Sequence, residues 1–166
     1  MMGIRMIQQK AAALVALAVL LAFGLATPVA AATTQILEKV PYHPMSGASN
    51  KIKKECSLDT KVPEIFAAAV PDVKLVGKLR GAQRLELTIR DVHAPGGGMF
   101  SGPKWVRIDG TLKRGGKVIG SFRANRNTVT GKGTCGMLNR CVSAIADDVA
   151  AWIAKPTKDA RLGNAK

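Results

Sequence analysis

The chain has 166 residues, a formal net charge of +14, 22% charged residues and only 4% aromatic ones. Its length bounds it to one domain of ordinary size, large enough to bury a core. The scarcity of aromatics argues against a carbohydrate- or base-stacking platform, and the basic balance points to anionic partners.

Met1 to Lys10 carries Arg5 and Lys10 and no acid, and Ala11 to Ala26 is apolar throughout apart from Gly24. Thr27-Pro28 breaks the run, and Val29-Ala30-Ala31-Ala32 is small. This order of charged, apolar and small segments predicts a signal peptide over 1–31, cleaved after Ala31 or Ala32. The apolar run of 16 residues is shorter than the roughly 20 that cross a bilayer. The first cysteine is Cys56, so no lipid-anchor cysteine follows the run. The expected product is periplasmic or secreted, with no transmembrane anchor after cleavage. Cleavage removes Arg5 and Lys10 and no acid, so the charge falls only from +14 to +12 and belongs to the remaining domain.

Gln35 to Val40 reads as a short strand ended by Pro41, and Tyr42 to Ser49 as a loop. Asn50 to Cys56 can begin a helix. A clearer helix is predicted over Lys61–Val70, capped by Asp59 or Thr60, with Pro63 in its first turn and Val62, Ile65, Phe66, Ala69 and Val70 on its apolar side. Four strands follow over Val73–Leu79, Arg84–Val92, Trp105–Leu112 and Val118–Asn125, the last three alternating apolar and polar as half-buried antiparallel strands do.

Between the last two strands, a two-residue Gly115-Gly116 loop would set Leu112 opposite Ile119 and Ile108 opposite Arg123, putting a charge on the apolar face. A three-residue loop, Arg114 to Gly116, pairs Leu112 with Val118, Gly110 with Gly120, Ile108 with Phe122 and Val106 with Ala124, and is the expected register. The final helix is the most regular element. Leu138, Cys141, Ile145, Val149 and Trp152 recur at spacings of three and four, widened by Val142 and Ile153, with Asp147 and Asp148 opposite. Lys155 and Pro156 end it, and 157–166 is a polar tail. The expected fold is α+β: a single domain over 32–156 with an antiparallel sheet of four to five strands and two helices packed on one face.

In an oxidising compartment three cysteines imply one disulfide and one leftover thiol. Cys141 lies on the buried helical stripe and reads as a core thiol. Cys56 and Cys135 each precede a helix packed on the same sheet face, which favours Cys56–Cys135. Cys135–Cys141 and Cys56–Cys141 remain the other pairings.

The expected register directs Arg107 opposite Arg123 and Lys113 opposite Lys117 on the outward sheet face, with Asp109 as a local counter-charge and Arg84 and Arg90 extending the patch. Like charges directly opposed are destabilising without an intervening partner. Arg84, Arg90, Arg107, Lys113, Lys117 and Arg123 are therefore the candidate anion-binding residues.

The connection Pro95 to Pro103 is glycine-rich, with Met99 and Phe100 at its tip, and its backbone can form an anion nest. Gly131-Lys132-Gly133-Thr134 lacks phosphate-loop spacing, so no nucleotide is expected, although Lys132 can help hold a lone anion at that helix start. The only histidines, His43 and His93, lack ligand-spaced companions. A copper set of His43, Met45, His93 and Met99 would have to be assembled from flexible loops. No catalytic residue, metal site or cofactor is expected.

The run Lys132-Gly133-Thr134-Cys135-Gly136-Met137-Leu138-Asn139-Arg140-Cys141, followed by Asp148 and Trp152, resembles an uncharacterised family of small exported proteobacterial proteins. The stretch Gly96 to Lys104 and the Glu55-Cys56…Lys61 segment share that pattern, and the resemblance covers about residues 48–156. It is also distantly similar to lipoprotein domains of unknown function built from a sheet plus two helices, from which this chain differs by lacking the anchor cysteine. The resemblance implies a fold and no activity.

The sequence thus predicts a non-enzymatic exported domain that binds an anionic envelope polymer, a lipid headgroup or an acidic protein through a basic sheet face. The competing expectation is a metal-handling protein or hydrolase using the glycine-rich loop and His93.

Overall fold

A computed structural model describes residues 33–95 and 102–165. The predicted signal peptide over 1–31 and the tip of the glycine-rich connection, with Met99 and Phe100, lie outside the described residues. Elements follow the chain as β1 (Thr34–Leu37), α1 (Asn50–Cys56), α2 (Leu58–Ala69), β2 (Val73–Val76), β3 (Gln83–His93), β4 (Lys104–Arg114), β5 (Lys117–Thr128), α3 (Gly133–Ile153) and β6 (Ala160–Gly163).

The strands form a six-stranded sheet in the order β2-β1-β3-β4-β5-β6. The α+β class stands, but the sheet is mixed and has more strands than expected. β1 runs parallel to both β2 and β3, and β6 runs parallel to β5. The cause is connection length. β1 reaches β2 through α1 and α2, and β5 reaches β6 through α3; crossovers of that kind join parallel strands. β6 lies within the polar stretch 157–166, where four residues offer little periodicity to read.

The central strands β3, β4 and β5 form the expected antiparallel meander. Their hairpin register differs from the prediction. Gly115 and Gly116, at φ 54° and 82°, make a two-residue turn that sets Arg114 opposite Lys117 and Lys113 opposite Val118. A bulge then absorbs Ile119, so that Leu112 faces Gly120, Gly110 faces Phe122 and Ile108 faces Ala124. The predicted register would have stacked Gly110 on Gly120 and left both empty. In the structure the Phe122 ring fills the space over Gly110, and Trp152 of α3 fills the space over Gly120. The two rings meet edge to face at 5.0 Å.

Among the described residues there are three helices, one more than expected. The Ser49 hydroxyl caps α1 by accepting from the Ile52 N–H at 3.2 Å. Ser57, in left-handed conformation, ends α1 and starts α2. Asp59 and Thr60, the expected caps, therefore lie inside α2, as does Pro63. Pro63 has no N–H to give the carbonyl four residues back. That carbonyl, of Asp59, instead accepts from the Val40 N–H at 2.8 Å and ties the end of the first strand segment to the helix layer.

Ile36, Leu85, Ile89, Ile108, Leu112 and Ala124 from the sheet pack with Leu58, Val62 and Phe66 of α2 and Leu138, Val142, Ile145 and Val149 of α3 in one core. All three helices contribute to this face. The disulfide Cys56–Cys135 joins the end of α1 to the first turn of α3, with Cα atoms 5.1 Å apart. Cys141 is buried and free. Its S–H donates to the Lys104 carbonyl at 3.6 Å, and burial pushes the thiol up to about 11.

Candidate functional site

The side of the sheet away from α1, α2 and α3 is the candidate surface, and alternation along each strand decides what it presents. Cross-strand registers arrange it in rows. Lys74, Gln35, Arg84 and Lys113 form one row across β2, β1, β3 and β4. Thr88, Asp109, Arg123 and Arg161 form another across β3 to β6. Asp91, Arg107 and Asn125 form a third, and His93, Trp105 and Asn127 a fourth.

The expected like-charge oppositions are corrected. Arg107 faces Asn125, and Arg123 faces Asp109, because the bulge at Ile119 shifts β5 past β4. Lys113 faces Val118, while Lys117 faces Arg114 at the turn, on the opposite side of the sheet from Lys113. Lys117 therefore leaves the predicted patch. Arg84, Arg90, Arg107, Lys113 and Arg123 remain on the outer face. Lys74 and Arg161 join them, brought in by strands whose placement needed the tertiary fold.

Acids on the same face partly neutralise this set. Asp109 lies 3.3 Å from the Arg123 guanidinium and 3.9 Å from that of Arg90, which reaches it from the β3 bulge. Lys113 meets Glu86 at 2.8 Å. These groups are partly exposed, so each pair is worth at most about 1 kcal/mol and exchanges readily with an external anion. A groove of about 330 Å³ runs beside Arg123, with Thr111, Ser121, Asp159 and Arg161 in its lining. Asp159 is held there by its own N–H donating to the Ser121 hydroxyl at 2.8 Å.

Arg107 is in register with Asp91 yet lies over the Trp105 ring, its guanidinium carbon 4.6 Å from the centroid. His93 stacks on the same indole at 5.1 Å and 11°. The other histidine is elsewhere: Nδ1 of His43 accepts from the Met45 N–H at 3.2 Å in the loop after β1. Among the described residues no three His, Cys, Asp or Glu side chains gather as a metal-ligand set. Met99, the remaining member of the predicted copper set, lies outside those residues.

Other charged groups serve the scaffold. Arg126, on the helix side of β5, makes a two-point pair with Asp148 of α3 at 2.8 and 2.5 Å. That hydrogen bonding raises the arginine's pKa further. The expected placement of Asp147 and Asp148 on the far side of the helix holds for Asp147, which is exposed, but Asp148 turns toward the sheet to meet Arg126. Lys132 is the N-cap residue of α3 and is exposed, with no side-chain cap bond. The Tyr42 hydroxyl is buried against the start of α2. Burial raises its pKa and the nearby Asp59 adds to this, while the N–H groups of Leu58 and Asp59 oppose it.

No family model matches the chain, and no curated protein matches it. Solved structures do. An uncharacterized protein superposes with a TM-score of 0.50 at 13% identity, over 72% of this chain and 91% of that one. The PelC dodecamer from Paraburkholderia phytofirmans gives 0.48 at 11% identity, over 70% and 87%. A Xanthomonas campestris protein of the DUF330 family model gives 0.48 at 9%, over 74% and 83%. The likeness to the first is one of fold.

Proposed function

We propose that this protein is an exported, non-catalytic module that binds an anionic polymer of the cell envelope across the outer face of its sheet. One observation carries the reading. Among the described residues the helices pack on the opposite face, and on this one Lys74, Arg84, Arg90, Arg107, Lys113, Arg123 and Arg161 outnumber Glu86, Asp91, Asp109 and Asp159. Such a surface attracts a polyanion through many weak, exchangeable contacts rather than one deep pocket. Export rests on the charged, apolar and small leader together with the Cys56–Cys135 disulfide, a bond that persists in oxidising compartments.

The test is salt elution from a heparin resin. The double variant Arg107→Ala/Arg123→Ala should elute at clearly lower salt than the wild type. Lys39→Ala/Lys61→Ala removes the same charge from the other side of the molecule and should elute close to the wild type. Equal shifts for the two double variants would show that net charge alone drives retention and would refute a docking face. Retention on anionic vesicles but not on heparin would redirect the reading to lipid headgroups. Retention only by acidic protein would redirect it to a protein partner.

A further inference from the structure

Beside the Trp105 stack lies a surface cavity of about 350 Å³, lined by Gly47, Asp91, His93, Pro95 and Trp105 among others. That volume falls at the lower end of small-ligand pockets, which run from about 300 to 1,000 Å³. Its polar wall is Asp91. Oδ1 of Asp91 accepts from the Gly47 N–H at 2.8 Å and from the Val92 N–H at 2.9 Å. These two bonds hold the carboxylate in place. Gly47 lets this approach close fully, since a Cβ there would sit 3.0 Å from Asp91 Oδ1 and 3.1 Å from the Val92 carbonyl and push them back by a few tenths of an ångström. The aromatic wall is Trp105 with His93 stacked on it, and Arg107 lies over the indole at 4.6 Å.

The composition of these walls selects a ligand class. A cationic ligand is disfavoured because the Arg107 guanidinium, over the Trp105 ring, would repel it. A compact phosphate or sulfate is disfavoured because the Asp91 carboxylate lines the cavity and such an ion has no neutral edge to turn toward it. A polyhydroxylated ring meets both walls: a hydroxyl donates to the fixed carboxylate, and the C–H side of the ring packs against the surface that His93 and Trp105 turn toward the cavity. A carboxylate substituent on that ring would answer Arg107. We propose that this cavity is a subsite for one uronic-acid residue of an acidic polysaccharide. The proposal rests on the polyanion-binding reading of the face and specifies the polymer. Low aromatic content argues against a carbohydrate-stacking platform; a single subsite needs only the one tryptophan that the fold brings beside Asp91 and Arg107.

The experiment is a titration of the isotopically labelled protein with trigalacturonate, followed by amide shifts, in parallel with heparin elution. The expected result is saturable shifts centred on Gly47, Val92, His93 and the Trp105 indole. Asp91→Asn keeps an oxygen for the Gly47 and Val92 N–H groups and should weaken the trisaccharide about tenfold or more. Trp105→Ala should weaken it comparably. Arg107→Gln should weaken trigalacturonate while leaving neutral galactotriose, a poorer ligand, unchanged, and Lys61→Gln should alter neither. Retention on heparin without trigalacturonate shifts at the cavity, or with unaltered affinity in Asp91→Asn and in a folded Trp105→Ala variant, would overturn the subsite and leave the binding face standing. Loss of every polyanion interaction in the wild type would overturn both.

Discussion

Removing the Cys56–Cys135 bridge tests the covalent frame that holds the helix layer together. The bridged residues are 79 apart in sequence. In the chain-entropy model a loop of that length restricts the unfolded chain by about 15 cal/mol/K, or about 4.5 kcal/mol at 25 °C. Small domains are stable by only about 5–15 kcal/mol, so Cys56→Ala/Cys135→Ala should lose a third or more of the total. With a urea slope near 2 kcal/mol/M the midpoint should fall by about 2 M. Both sulfurs join helix ends that pack on the same sheet face, so the unbridged protein should keep its native circular dichroism while unfolding earlier. The assay is urea unfolding of wild type, the double alanine variant and Cys141→Ala. A double-variant midpoint within about 0.5 M of wild type would refute the loop-entropy reasoning. A Cys135–Cys141 link in non-reduced peptide maps would refute the pairing.

Gly120→Ala should destabilise the protein by about 2 kcal/mol or more in the same assay, because its Cβ would lie 2.7 Å from Trp152 Cζ2 and 2.9 Å from Pro156 Cβ. The buried Cys141 thiol, raised to about 11 against an ordinary 9.0, adds an alkaline sensitivity. Above pH 9 the unfolded chain releases this proton first, so stability is intact at lower pH and falls between pH 9 and 11 by on the order of 2 kcal/mol. Cys141→Ala should remove that component from the unfolding profile, and an identical decline in the variant would contradict it. Asp109→Asn should free Arg90 and Arg123 and raise the salt needed to elute the protein from heparin. Unchanged or earlier elution would show that Asp109 does not restrain the face.

The elements legible in the sequence were those with long periodic patterns. β3, β4 and β5 alternate over 11 or 12 residues, and α3 repeats its apolar stripe over 21, so their types and buried sides follow from local residues. The favoured cysteine pairing was likewise legible, because both cysteines lie at helix ends that one sheet face must receive. β1, β2 and β6 are only four residues long. Their neighbours and directions depend on helical crossovers, which no short window of sequence displays.

The same division runs through the candidate site. The excess of basic residues and most of the outward arginines are properties of the sequence, since alternation assigns each strand residue to a face. Which charges meet is a property of the tertiary structure. A bulge at Ile119 lets Phe122 cover Gly110 and Trp152 cover Gly120, and core filling of that kind outweighs weak surface charge pairs. The resulting register brings Asp109 to Arg123 and moves Lys117 off the face. It is also the paired sheet that seats His93 and Arg107 on Trp105, next to a carboxylate held by Gly47 from a distant loop. Side-chain periodicity determined which residues face outward, and packing of the opposite face decided how they are arranged.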